Sequence, residues 1–134
     1  MVEPGFIGIL PGGNETVPAP PAGAVTSGRR KALARWITRP DNPLFARAWM
    51  NRVWMHHFGS GISDTPGNLG TNGDLPSHPE LLDHLAERFI SGGWHLKPIH
   101  RMIVLSRTDR QSSLASATAR RIDPRNRLLS HMPV

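Results

Sequence analysis

From residue 29 onward the apolar positions recur at helical rather than alternating spacing. Leu33, Trp36 and Ile37 place a first helix over 29–38. Ser27 is its expected N-cap. Pro40 is its stop, because the residue before a proline avoids the α region. Asp41-Asn42-Pro43 then sets a capping side chain before a proline at a first helical position. A second helix is expected over 43–58, ending at Gly59. Leu44, Phe45, Ala48, Trp49, Met50, Val53, Trp54, Met55 and Phe58 cover nearly its whole circumference at about 100° per residue. A helix apolar all round is expected to be buried. Arg47, Asn51, Arg52, His56 and His57, which share it, then need internal partners.

Residues 59–75, with Gly61, Gly67, Gly70 and Gly73, predict a loop. Ser77-His78-Pro79-Glu80 fits the capping box, in which Ser77 and Glu80 satisfy each other's free amides. Leu81, Leu82, Leu85 and Phe89 form the stripe of the third helix, closed by Ser91-Gly92-Gly93. A fourth helix follows residues 94–96, with Pro98 in its first turn and Ile99, Met102, Ile103, Val104 and Leu105 largely buried. The polar stretch 107–121 is at most weakly helical. Asp123-Pro124 repeats the start signal and predicts a last helix over 125–134. Its Leu128, Leu129 and Met132 have almost no later sequence to pack against, so the expectation is a C-terminally incomplete domain.

The expected fold is therefore mainly α: four to five packed helices in 29–134, after an extended Pro/Gly-rich segment over 1–28. That lead-in holds Pro4, Pro11, Pro18, Pro20 and Pro21, which favour extended chain and lack amide donors. Phe6, Ile7, Ile9 and Leu10 are its candidate anchors. A linker or edge-strand remnant is preferred over a ligand for a proline-recognition domain.

Composition narrows the chemistry. A chain of 134 residues suits one domain or part of one. The absence of Cys excludes disulfides, Cys-ligated zinc, thiol catalysis and haem attachment through Cys. No apolar run approaches the roughly 20 residues of a membrane span, and no secretory signal opens the chain. The net charge of +6 is distributed as +4 over 1–60, −3 over 61–98 and +5 over 99–134. Apart from Lys31 and Lys97 every basic residue is Arg, the residue best suited to internal bidentate ion pairs. Arg47 or Arg52 paired with Asp83, Glu87 or Asp64 is the expectation.

Three chemistries compete with a structural role. His56 and His57 project about 100° apart on a helix and cannot chelate one ion together. No metal-ligand spacing occurs, although His78, His84 and Asp83 could converge on His56. Ser77, His78 and Asp83 invite a hydrolytic reading, with Asp64 and Asp74 as further carboxylates, but Ser77 is accounted for as a cap and no nucleophile elbow is present. A sequence pI near 11.4 suits nucleic acid, yet the cations are spread through apolar helices and no recognition motif occurs, so this partner is disfavoured. Arg47, Asn51 and Arg52, flanked by His56 and His57, are the ligand-binding candidates. They form either a buried structural network, the preferred reading, or a clamp for an acidic ligand such as an acidic glycan or a partner domain. Asp41, Asn42, Ser77, Glu80 and Asp123 are the structural caps. No catalytic residue, metal site or cofactor is assigned, and the residues do not decide whether the protein is an enzyme.

The strings RRKALARWITRPDNPLFARAWMNRVWMHHFGSGI, PSHPELLDHLAERFISGGWHLKPIHRMIVLSRTDRQSS and DPRNRLLSHMP resemble domain-of-unknown-function family 1553, the planctomycete-specific domain. The resemblance covers about residues 28–134, in order and with matching spacing. It implies a module of long, exported proteins of the periplasm or cell surface. Such proteins often carry a further planctomycete domain and a cytochrome c-like domain upstream. It also implies a domain that continues past the equivalent of Val134. No reaction is established for the family, so it supplies no catalytic residue. This chain departs from the family pattern at His84, Asp109 and Ser130-His131, where the family usually has Trp, Tyr and Trp-Arg. The function expected is a structural or interaction domain of a larger exported protein, packing against other domains of a parent or neighbouring protein. The alternatives are a fragment of an enzyme of glycan processing or of a redox assembly, and an Arg-rich binder of anions or nucleic acid.

Overall fold

The computed structural model describes residues 4–133; the first three residues of the lead-in and Val134 lie outside them. The described residues form five helices and no strand: α1 Arg29–Ile37, α2 Phe45–Phe58, α3 Pro79–Ser91, α4 Leu96–Val104 and α5 Ala117–Ile122. The fold is mainly α. Contacts divide the chain into two units, Met1–Phe45 and Ala46–Val134.

In the first unit the lead-in doubles back on itself, with an isolated antiparallel bridge between Gly5 and Thr16. Trp36 of α1 organises it. The Phe6 ring stacks on Trp36 at 5.1 Å and 11°. The indole Nε1–H donates to the Pro11 carbonyl at 3.0 Å. Arg39 binds Glu15 at 2.5 Å and Asp41 at 2.9 Å. The lead-in is thus held against α1 rather than trailing from it. Phe6 is an anchor through its ring contact with Trp36, Leu10 is half-buried, and Ile7 and Ile9 are exposed.

Ser27 does not cap α1. Gly28 takes that place at φ 69°, a conformation that costs glycine little, and its carbonyl accepts from Ala32 at 3.0 Å. Asn42, not Asp41, guards the start of α2: its Oδ1 accepts from the amides of Leu44 and Phe45 at 3.0 and 3.4 Å. The helix accordingly begins two residues after Pro43. Asp41 faces Arg39 instead.

In the second unit α2, α3 and α4 contribute one core. Ala46, Met50, Val53, Trp54 and Phe58 meet Leu82, Leu85, Ala86, Phe89, Ile99 and Ile103, with Ile62 from the loop between α2 and α3. The α3 stripe is as expected. The prediction that α2 is buried all round is corrected. Trp49 is 40% exposed, and Arg52 and His56 also face solvent. The core covers the 46/50/53/54/58 face and leaves the opposite side open, so tertiary contacts rather than composition decide which apolar residues are buried.

The last predicted helix does not form. α5 ends at Ile122, and the amides of Arg127 and Leu128 donate to the Asp123 carboxylate at 2.9 and 2.6 Å. Asn126 and Leu129 take positive φ of 50° and 53°, which breaks helical continuation. Asp123 therefore holds a turn. The terminal apolar residues are not left idle, either. Leu129 and Met132 pack on the core, whereas Leu128 is exposed. The Met132 amide donates to the Ser112 carbonyl at 3.0 Å, and Gln111 Nε2 donates to the Leu129 carbonyl at 2.8 Å.

Candidate functional site

α2 carries the five ligand-binding candidates, and the tertiary structure separates them. Arg47 Nε donates to Asp83 Oδ1 of α3 at 2.6 Å. Both side chains are half-exposed, so the pair contributes roughly 0–1 kcal/mol. Arg52 is exposed and joins no ion pair among the described residues. Glu87 and Asp64, the other acids considered for these arginines, are exposed as well.

Asn51 does something different. Its side chain is fully buried. Nδ2 donates to the Ser63 carbonyl at 3.0 Å, and Oδ1 accepts from the Ser63 amide at 2.9 Å. The carboxamide thus substitutes for a strand partner, satisfying both backbone groups of one residue. The loop is then laced outward from Ser63. Its Oγ bonds Thr65 Oγ1 at 3.3 Å and the Asp74 carbonyl at 3.2 Å. Thr65 Oγ1 accepts from the Asp74 amide at 2.9 Å and donates to the Asn68 carbonyl at 3.1 Å. Every buried side-chain nitrogen and oxygen among the described residues has a partner. Asn51 is the centre of a structural network, and both polar atoms of its amide are engaged within the fold.

Ser77 belongs to the same network. Its amide and Oγ both donate to the Ile62 carbonyl, at 2.8 and 3.1 Å. The N-cap of α3 is His78, which makes no side-chain capping bond. The capping box is therefore not formed, because the Ser77 hydroxyl is drawn to the loop. Glu80 remains in the first turn, where its charge faces the positive end of the helix dipole. Ser77 Oγ lies 3.0 Å from His78 Nδ1, and a cleft lined by both and by Asp64 lies alongside. Its volume of about 10 Å³ is at the limit for one water molecule. The cleft itself therefore encloses nothing larger than a water.

The histidines pair across the fold. His57 Nε2 and His100 Nδ1 are 2.8 Å apart, bridging α2 and the middle of α4. Desolvation holds the His57 pKa below its ordinary value, and the charges of His100 and His56 act in the same direction, against an opposing effect of Asp109. His56 and His84 are exposed. Among the described residues no group of three or more His, Asp or Glu side chains is arranged to hold a metal ion. The structure therefore brings together Arg47 with Asp83, Asn51 with Ser63, and His57 with His100, but not the five α2 residues as one clamp. Two of these partners were invisible along the chain. Ser63 contributes its backbone, which any residue possesses, and His100 lies 43 residues from His57. One signal was readable in principle: a buried Asn on a helix, followed by a glycine that leaves space beside it.

No helix among the described residues is long and apolar enough to cross a membrane. No curated protein and no solved structure matches the chain. The model of the family described as "protein of unknown function (DUF1553)" matches residues 29–134, a span that begins at the first residue of α1 and takes in the Asn51 network and the core. The chain belongs to that family.

Proposed function

We propose that this chain is a helical interaction module that packs against other domains of a larger exported protein. The observation that carries the reading is the exposure of large apolar side chains after the core of α4. Leu105, Leu114, Ile122 and Leu128 are 53%, 82%, 67% and 66% exposed. They lie in the segment of highest positive charge, +5 over 99–134. Scattered single apolar residues are ordinary on a surface. Four within 24 residues, interleaved with arginines, suit a segment that docks on an acidic, partly apolar partner. The polar groups of α2 support the same reading, since Asn51 and Arg47 are engaged within the fold.

Hydrogen exchange tests it. The amides of 105–128 are measured in the protein alone and after mixing with the polypeptides encoded beside it in the same genome. Protection confined to this segment is the expected outcome, together with recovery of the native protein from an exported cell fraction. Unchanged exchange and recovery from the cytosol would reject the proposal. Turnover of a glycan or of an electron donor by the purified protein would favour the enzymatic alternative.

A further inference from the structure

The first unit contains a cavity of about 530 Å³ between the proline-rich lead-in and α1. That volume lies within the range of small-molecule sites, roughly 300–1,000 Å³. We propose that it binds a small anionic ligand with a flat apolar body, of the aromatic carboxylate class.

The walls give the apolar part. Pro18, Pro20, Pro21 and Ala24 line one side, and Phe6 and Trp36 contribute near the C-terminal end of α1. The stacking of Phe6 on Trp36 and the Trp36–Pro11 hydrogen bond fix this wall from behind. The prolines offer no amide donors; Thr16, Thr26 and Ser27 add neutral donors to the lining, and the cations that face the cavity without an ion pair stand on the helix side.

The helix side is cationic. Lys31 and Arg35 both line the cavity and stand four residues apart on α1, hence on one face. Neither makes an ion pair among the described residues. The cavity also borders on Glu15 and Arg39; Arg39 is shared by the carboxylates of Glu15 and Asp41, a cluster of net charge −1, so with Lys31 and Arg35 the site keeps a surplus of +1. The cations without an ion pair there are Lys31 and Arg35. A carboxylate placed between them leaves its apolar body against the prolines. A neutral ligand would bury the same surface without using either charge. Charge complementarity therefore selects an anionic occupant.

The test uses the complete protein, labelled with ¹⁵N, and two probes of equal shape: 1-naphthoate and uncharged 1-naphthamide. Naphthoate is expected to shift amide resonances of residues 15–36 saturably. The double variant Lys31→Ala/Arg35→Ala, whose changes lie on an exposed helix face, should weaken naphthoate binding about tenfold or more. Binding of naphthamide, weaker from the start, should be unchanged. In the unaltered protein naphthoate affinity should fall as salt rises from about 20 to about 300 mM, since exposed charges are screened over that range. The variant Lys31→Arg/Arg35→Lys should retain binding, which separates loss of charge from loss of folding. Shifts that never saturate, shifts centred outside 15–36, equal affinity for the two probes, or undiminished naphthoate binding by the alanine variant would each overturn the proposal.

Discussion

Replacing Asn51 by Ala removes both bonds to Ser63 at once. The Ser63 amide and carbonyl stay buried, since Ser63 is itself 0% exposed, and neither can turn to water. Each buried backbone group left without a partner costs roughly 1–3 kcal/mol, so the pair costs about 2–6 kcal/mol. A small void beside the loop adds to this. A unit the size of 46–134 has a total stability of about 4–13 kcal/mol. The substitution thus removes a large fraction of it. In urea, with a slope near 2 kcal/mol per M, a loss of 4 kcal/mol lowers the unfolding midpoint by about 2 M. Tryptophan fluorescence reports the transition, because Trp54 sits in the core.

A graded companion is Gly61→Ala. A Cβ at residue 61 would lie 2.5 Å from the Ser63 carbonyl oxygen and 2.8 Å from each Asn51 amide atom. It pushes on the clamp without deleting it and should cost about 1–3 kcal/mol. Hydrogen exchange of the Ser63 amide should speed up in both variants. An Asn51→Ala midpoint within about 0.3 M of the parent, against a shift of about 2 M, would refute the reasoning: Asn51 would then be no clamp, and an external ligand for its amide would have to be reconsidered.

Arg47→Ala, in contrast, should lower stability by less than about 1 kcal/mol, because its bond to Asp83 is half-exposed; a larger loss in the same urea assay would mean that the pair is shielded from water. Phe89→Ala removes a buried ring of the core and should cost about 3–5 kcal/mol, measured as a fall in the thermal midpoint with loss of near-UV circular dichroism. Acid should destabilise the protein through His57. Its pKa lies below the ordinary 6.5 in the folded state, first because of desolvation and then because of His100, so the unfolded chain takes up the proton more readily. The stability this residue contributes is full above pH 6.5 and is lost as pH falls below it. Urea midpoints across this window should decline less steeply in His100→Ala; an identical slope would show that the ring pair does not govern the response. Gly59→Ala, at φ 76°, should cost about 1 kcal/mol by thermal melting, because only glycine ends α2 without strain.

The helices were legible because their information is local. Apolar spacing located α1, α2, α3 and α4 to within a few residues, and Gly59 marked the end of α2. The family resemblance was legible too, as it rests on strings of residues in order. Capping was less so. Asn42 kept its role while Ser77 lost it, because a hydroxyl beside a carbonyl from a distant loop binds that carbonyl instead. The Asp123-Pro124 start signal failed for a related reason. The Asp123 carboxylate does accept backbone amides, but those of a turn with left-handed residues, and the chain is drawn back so that Leu129 and Met132 reach the core.

Of the candidate site, composition and periodicity determined the identity of the residues: Arg47, Asn51, Arg52, His56 and His57 on one helix. They could not determine the partners, since a helix offers its circumference to whatever packs there. Only the tertiary structure decided that Asn51 faces Ser63, Arg47 faces Asp83, His57 faces His100, and Arg52 and His56 face water. The lead-in shows the same division. Its prolines marked a donor-poor segment and predicted an extended one, whereas the structure folds it back through turns over 8–15, with Gly5 bridged to Thr16 and Phe6 and Pro11 held on Trp36, and so forms the cavity beside Lys31 and Arg35.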